Sequence, residues 1–160
     1  MPHSVAVAIV HGVGKQDPQF ADGMAQELRD RFAKEIGREA EDPASALVVR
    51  PVYWAPVLQK AEAILWKRMK QGGELDFTTL RRFLVDFAAD AIAYQPTPTD
   101  RKIYDGVHEV LAQTLRDLAG AAGETAPLCV IAHSLGSVIA SNYLYDLQVE
   151  PTRRILPDSV

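Results

Sequence analysis

The chain has 160 residues, 48% of them hydrophobic and 24% charged, with 10 Gly, 10 Pro and a single Cys. That length suits one domain able to bury roughly two-thirds of its unfolded surface, and the apolar content is too high for a disordered chain. A formal net charge of −4, with both signs interspersed, excludes the basic face that a nucleic-acid partner needs, and one Cys excludes an internal disulfide framework.

Val5 to Val10 is a short apolar run rich in β-branched residues, which predicts a strand buried on both faces of a parallel sheet. It is too short for a signal-peptide core and leads straight into Gly-rich sequence, so a cytoplasmic protein is expected. No segment reaches the roughly 18–20 apolar residues of a membrane span. His11-Gly12-Val13-Gly14-Lys15-Gln16-Asp17-Pro18 breaks the pattern as a loop. Phe20, Met24, Leu28, Phe32 and Ile36 then form an apolar stripe at four-residue spacing, predicting an amphipathic helix that stops at Gly37.

Leu47 to Trp54 reads as a second strand that either ends at Pro51 or lies at an edge there, because Pro cannot donate to a ladder. Two helical patterns follow over about 57–94, separated by Gly72-Gly73. This helical insertion is longer than a crossover needs, and its apolar spacing predicts packing against the domain. Asp100 or Thr99 is expected to cap the next helix, in which Ile103, Val107, Val110, Leu111, Thr114, Leu115 and Leu118 give the clearest apolar stripe. Pro127 to Ala132 predicts a third buried strand, with Cys129 as a small buried hydrophobe. A final helix is expected with Leu135, Val138, Ile139, Tyr143 and Leu147 on one side, and Pro151 and Pro157 mark an irregular tail. Strand and helix alternate throughout, which argues for a single α/β domain over residues 1–160.

Two motifs carry chemistry. Ala132-His133-Ser134-Leu135-Gly136 is a nucleophile-elbow pattern with Ala in place of its first Gly. Such an elbow exposes a Ser on a sharp strand-to-helix turn, and small residues are needed on either side because strand and helix approach closely. The second motif, His11-Gly12-Val13-Gly14, follows the first strand. A tetrahedral oxyanion needs two N–H donors, here expected from the backbone of Leu135, just after the Ser, and of Val13. Nucleotide-binding alternatives fail. A Walker-type phosphate loop needs Gly where Ile9 stands and Ser or Thr where Gln16 stands, and a dinucleotide fingerprint needs Gly or Ala at Asp17.

With these residues the chain resembles the α/β-hydrolase superfamily, in particular its lipase- and esterase-like members, from its start to about Leu147. The resemblance implies a partial α/β-hydrolase fold: a short parallel sheet with helices on both faces and a helical insertion. It implies a serine hydrolase of carboxylic esters that forms an acyl-enzyme on Ser134, uses Val13 and Leu135 as oxyanion-hole donors, and needs no cofactor. His11, Gly12, His133 and Gly136 support the two motifs.

In that family an acid and then a His follow the nucleophile. After Ser134 the chain offers Asp146, Glu150 and Asp158 but no His. His3 lies at the terminus, His11 is expected to set loop geometry, His108 to sit at a surface or boundary, and His133 to support the elbow. None reads as the general base. The acid and base are therefore expected beyond residue 160, leaving this chain incomplete and inactive alone, with an exposed apolar sheet edge through which it self-associates. The substrate is expected to be a small ester or lipid-like molecule, Trp66, Phe77, Phe83 and Phe87 of the insertion either capping an acyl pocket or packing in the core. The alternative is a non-catalytic binding or scaffold module that keeps the fold without the triad. His and Cys show no metal-ligand spacing, so no metal site is expected.

Overall fold

Val5–Val10 forms strand β1, flanked by β2 (Leu47–Val52) and β3 (Leu128–Ala132) in a parallel sheet of order β2-β1-β3. The computed structural model describes residues 4–14, 16–36, 46–58, 91–153 and 156–157. Helices α1 (Asp22–Ile36), α2 (Lys102–Ala122) and α3 (Leu135–Arg153) alternate with the strands, giving the order β1-α1-β2-α2-β3-α3. The chain thus has the expected α/β class with a parallel sheet. Gly37, His3, Asp158 and the insertion residues 59–90, with Gly72, Gly73, Trp66, Phe77, Phe83 and Phe87, lie outside the described residues. No helix among the described residues is long and apolar enough to cross a membrane.

Register levels the strand ends. Val10 lies opposite Val52 on one side and Ala132 on the other, so the loops leaving the three strands emerge together. From β1 to β2 the chain steps one way along the sheet, and from β2 to β3 it steps back across β1. Opposite steps with one crossover hand place the connecting helices on opposite faces. Accordingly Val7 and Ile9 pack with Ala21 and Ala25 near α1, whereas Ala6, Ala8 and Val10 pack with Val107, Leu111 and Leu118 of α2 and Ile139 and Tyr143 of α3. The small side chains of Ala6 and Ala8 allow that close layer, and Trp54, Leu58 and Tyr94 complete it, each almost wholly buried.

Of the two readings of Pro51 the edge holds: it stays within β2, opposite Ile9, and is tolerated because β2 is an edge of the described sheet. Other expectations change. Among the described strands β3 is the other edge, and there Leu128 and Cys129 are exposed, so Cys129 is not a buried hydrophobe. Met24 is 49% exposed, and α1 turns Ala25, Leu28 and Phe32 inward instead. The cause is geometric: each four-residue step overshoots a full turn by about 40°, so a five-member stripe cannot all face one way. Val138 and Leu147 are exposed on the flanks of α3, whose buried line is Leu135, Ile139, Tyr143 and Asp146. Helix α3 also runs through Pro151, where a tail was expected. Arg101, not Asp100 or Thr99, takes the N-cap position of α2, while the Asp100 carboxylate accepts the Lys102 N–H at 3.1 Å.

Candidate active site

Only His133 and Ser134 separate the end of β3 from the start of α3. His133 still donates its N–H to Val10 O across the sheet at 3.2 Å, yet Gly136 N–H already closes a turn on His133 O at 3.0 Å and Ser137 N–H bonds Ser134 O at 2.9 Å. Ser134 alone must therefore reverse the chain. It does so with φ of +53°, the only positive φ outside glycine among the described residues. A left-handed backbone costs an L-residue about 1–2 kcal/mol. Ser134 is exposed, as its neighbour His133 is, while Leu135 is buried beneath them.

Two glycines bring the loop after β1 against this turn. A methyl group on Gly12 would stand 2.9 Å from Ser134 Cβ and 3.0 Å from His133 Nδ1. One on Gly136 would collide with His11 O and lie 2.8 Å from Val10 O. Gly14 adopts φ of +93° as the loop turns away, a conformation open to glycine at little cost. Gly12 and Ser134 are thus in contact, and they sit between the two adjacent strands at which the strand order reverses. In open parallel sheets, ligands bind in the crevice at the carboxyl ends of such strands.

The loop is braced from below. His11 is buried, stacked on Trp54 at 4.4 Å between ring centroids and met edge-on by Phe20 at 4.9 Å. Trp54 Nε1–H donates to His11 O at 3.0 Å, and Ala55 N–H donates to His11 Nε2 at 3.3 Å. His11 Nδ1 lies 2.7 Å from Gly12 O. Further along, the Tyr53 hydroxyl donates to Gln16 O at 2.9 Å. Neither of the two backbone donors expected from sequence, the N–H groups of Val13 and Leu135, is engaged among the described residues.

The motif residues Ser134, Val13, Leu135, His11, Gly12, His133 and Gly136 are therefore brought to one end of the sheet. No described residue shares a hydrogen bond with the Ser134 side chain. His108 is not at a surface or boundary: it is fully buried between α2 and α3. It shares a 2.9 Å hydrogen bond with the Tyr94 hydroxyl through Nε2, while Nδ1 stands 3.6 Å from Asp146 Oδ2 and has no hydrogen-bond partner. Tyr104 donates to Asp146 Oδ2 at 2.7 Å, and Asn142 donates to the Tyr94 oxygen at 3.4 Å. Burial lowers His108 to about 4, against the opposing pull of Asp146. Burial likewise raises Tyr94 and Tyr104 above the usual phenol range, with the Asp146 hydrogen bond adding to the effect at Tyr104. Asp146 lies twelve residues past Ser134, about 18 Å along the helix axis, so this polar cluster stands apart from the elbow.

No family model, curated protein or solved structure matches the chain. Its chemistry rests on its own geometry. An exposed Ser on a strained turn, at the N-terminus of a helix and against the glycine loop after β1, can present a nucleophile to a carbonyl, and backbone N–H groups of the turn and the loop can hold the oxygen that becomes negative. Among the described residues, no group of three His, Cys, Asp or Glu is placed to hold a metal ion.

Proposed function

We propose that the protein is a serine hydrolase of carboxylic esters, esterase- or lipase-like, built on part of an α/β-hydrolase fold. The observation that carries this reading is Ser134 at positive φ, packed against Gly12 of the loop after β1. A left-handed Ser is costly, and such strain persists where function requires it. The strand order β2-β1-β3, with the loop and the elbow on the two adjacent strands at its reversal, also favours it.

In the reaction, Ser134 Oγ attacks the ester carbonyl and its proton passes to a base. The Val13 and Leu135 N–H groups hold the resulting oxyanion. The C–O bond to the alcohol then breaks, the alcohol leaves with that proton, and water hydrolyses the acyl-enzyme. No base is hydrogen-bonded to the Ser134 side chain among the described residues: both nitrogens of His11 are engaged with backbone, His108 is buried in the other cluster, and the exposed His133 makes no such bond. That lack favours the second reading, a non-catalytic binding or scaffold module. A small ester or lipid-like substrate, a cytoplasmic setting and self-association through the β3 edge belong to the first proposal.

The test is labelling of the chain by a fluorophosphonate probe, with Ser134→Ala as control. Labelling lost in the variant supports a working nucleophile. Labelling that persists in Ser134→Ala sinks the assignment, and none in wild type shifts the balance to the binding module.

A further inference from the structure

We propose that His11 is a positioning residue for the reaction proposed above, on which this inference rests: its imidazole dictates which way the Gly12–Val13 peptide faces and so turns the Val13 N–H away from the core, to the side of Ser134. The tautomer follows from the partners. Ala55 N–H can only donate, so His11 Nε2 accepts and carries no proton. Gly12 O can only accept, so the Nδ1–H of His11 donates to it across 2.7 Å. The neutral Nδ1–H imidazole satisfies both.

The Gly12 carbonyl and the Val13 N–H belong to one planar trans peptide and point in opposite directions. Holding the oxygen against the buried ring therefore sends the N–H to the other side. A flipped peptide would instead present carbonyl lone pairs where negative charge develops on the substrate, replacing attraction by repulsion. The flip needs a lock because Gly12 precedes the peptide and Gly14 follows the next, and glycine opposes rotation least. Gly12 cannot be exchanged for a stiffer residue, since a side chain there would strike Ser134 and His133. The restraint is instead supplied by a neighbour, and that neighbour is itself clamped by the Trp54 stack and the Trp54 Nε1–H bond to His11 O.

Two measurements on the 160-residue chain test this. Long-range imidazole ¹H–¹⁵N correlations should find the His11 proton on Nδ1 and none on Nε2; a proton on Nε2 overturns the lock. Phenylboronic acid, which adds to a serine hydroxyl as a tetrahedral anion, then reads the oxyanion donors without turnover. His11→Phe keeps a flat ring without the donor and should weaken that binding about tenfold or more, whereas His11→Asn, which keeps an N–H toward Gly12 O, should stay within about threefold of wild type. Equal affinity of His11→Phe and wild type overturns the proposal. Should wild type and Ser134→Ala bind the boronic acid equally poorly, the hydrolase reading fails, and the tautomer by itself still decides the peptide lock. It also decides if His11→Phe does not fold.

Discussion

Gly136 lies with its α-carbon against the carbonyl oxygen of His11, so that the first turn of α3 rests directly on the end of β1. A methyl group would meet backbone there, which cannot swing aside as a side chain does. Gly136→Ala should therefore destabilise the chain by about 1–3 kcal/mol. Gly120, inside α2 with open space where its Cβ would be, provides the contrast. Gly120→Ala should stabilise by about 0.5–1 kcal/mol through helix propensity. Urea unfolding of both variants checks the pair, and effects of the same sign would remove the close approach as the cause.

The strain at Ser134 predicts a trade between stability and reactivity. Ser134→Gly relieves the positive φ, whereas Ser134→Ala removes the hydroxyl and keeps the strain. The Gly variant should be about 0.5–1 kcal/mol more stable than the Ala variant, the gain in φ being partly offset by the greater freedom of Gly when unfolded. Thermal unfolding of the two proteins measures it. An Ala variant at least as stable as the Gly variant would speak against stored backbone strain.

Much of this arrangement was legible in the residues. Apolar runs bounded by Gly-rich turns mark β1 and β3, and small residues beside Ser134 and after β1 anticipate the contact of Gly12 with the elbow. Such signals are local. The burial of His108 is not, because it depends on Tyr94 and on Asp146 of α3 arriving from other parts of the chain, and α2 alone offers only Tyr104 one turn before it. The exposure of Cys129 was hidden for a related reason. An apolar strand has the same sequence whether it is central or at an edge, and only the pairing decides. At Pro51 the residue itself restricts the choice, and the expectation of an edge held.

His108 gives a pH dependence with a definite sign. Unfolded, its imidazole takes a proton near 6.5; folded, burial delays this to about 4. Between those values the unfolded state binds more protons, so stability rises with pH across the window. The contribution is complete above 6.5 and is lost as pH falls toward 4, about 3 kcal/mol in all. Asp146 and Asp105 oppose the lowering, and Arg101 adds to it. Urea unfolding at several pH values should show a steeper slope in wild type than in His108→Phe, and identical slopes would assign the dependence elsewhere.

The two edges of the described sheet are guarded differently. On β2 the exposed Arg50 and the neighbouring Pro51 discourage a further strand, while β3 reads Leu-Cys-Val-Ile-Ala without a charge or a Pro. The chain should accordingly associate at micromolar concentration, and Cys129→Lys should reduce that association. Sedimentation velocity compares them. A stable wild-type monomer would contradict the open edge as an association site.

The reversal of strand order between β1 and β3 also sets when the elbow and the glycine loop can meet. Gly12 and Ser134 come from opposite ends of the described chain, and they meet only once β3 has docked beside a strand made long before it. Contacts of such sequence separation form late, because a long loop must close before they repay its entropy. A partly folded chain holding β1, α1 and β2 would carry the glycine loop but no nucleophile opposite it. On the hydrolase proposal, competence is thus tied to completion of the sheet, and a collapsed intermediate has no glycine loop packed against Ser134.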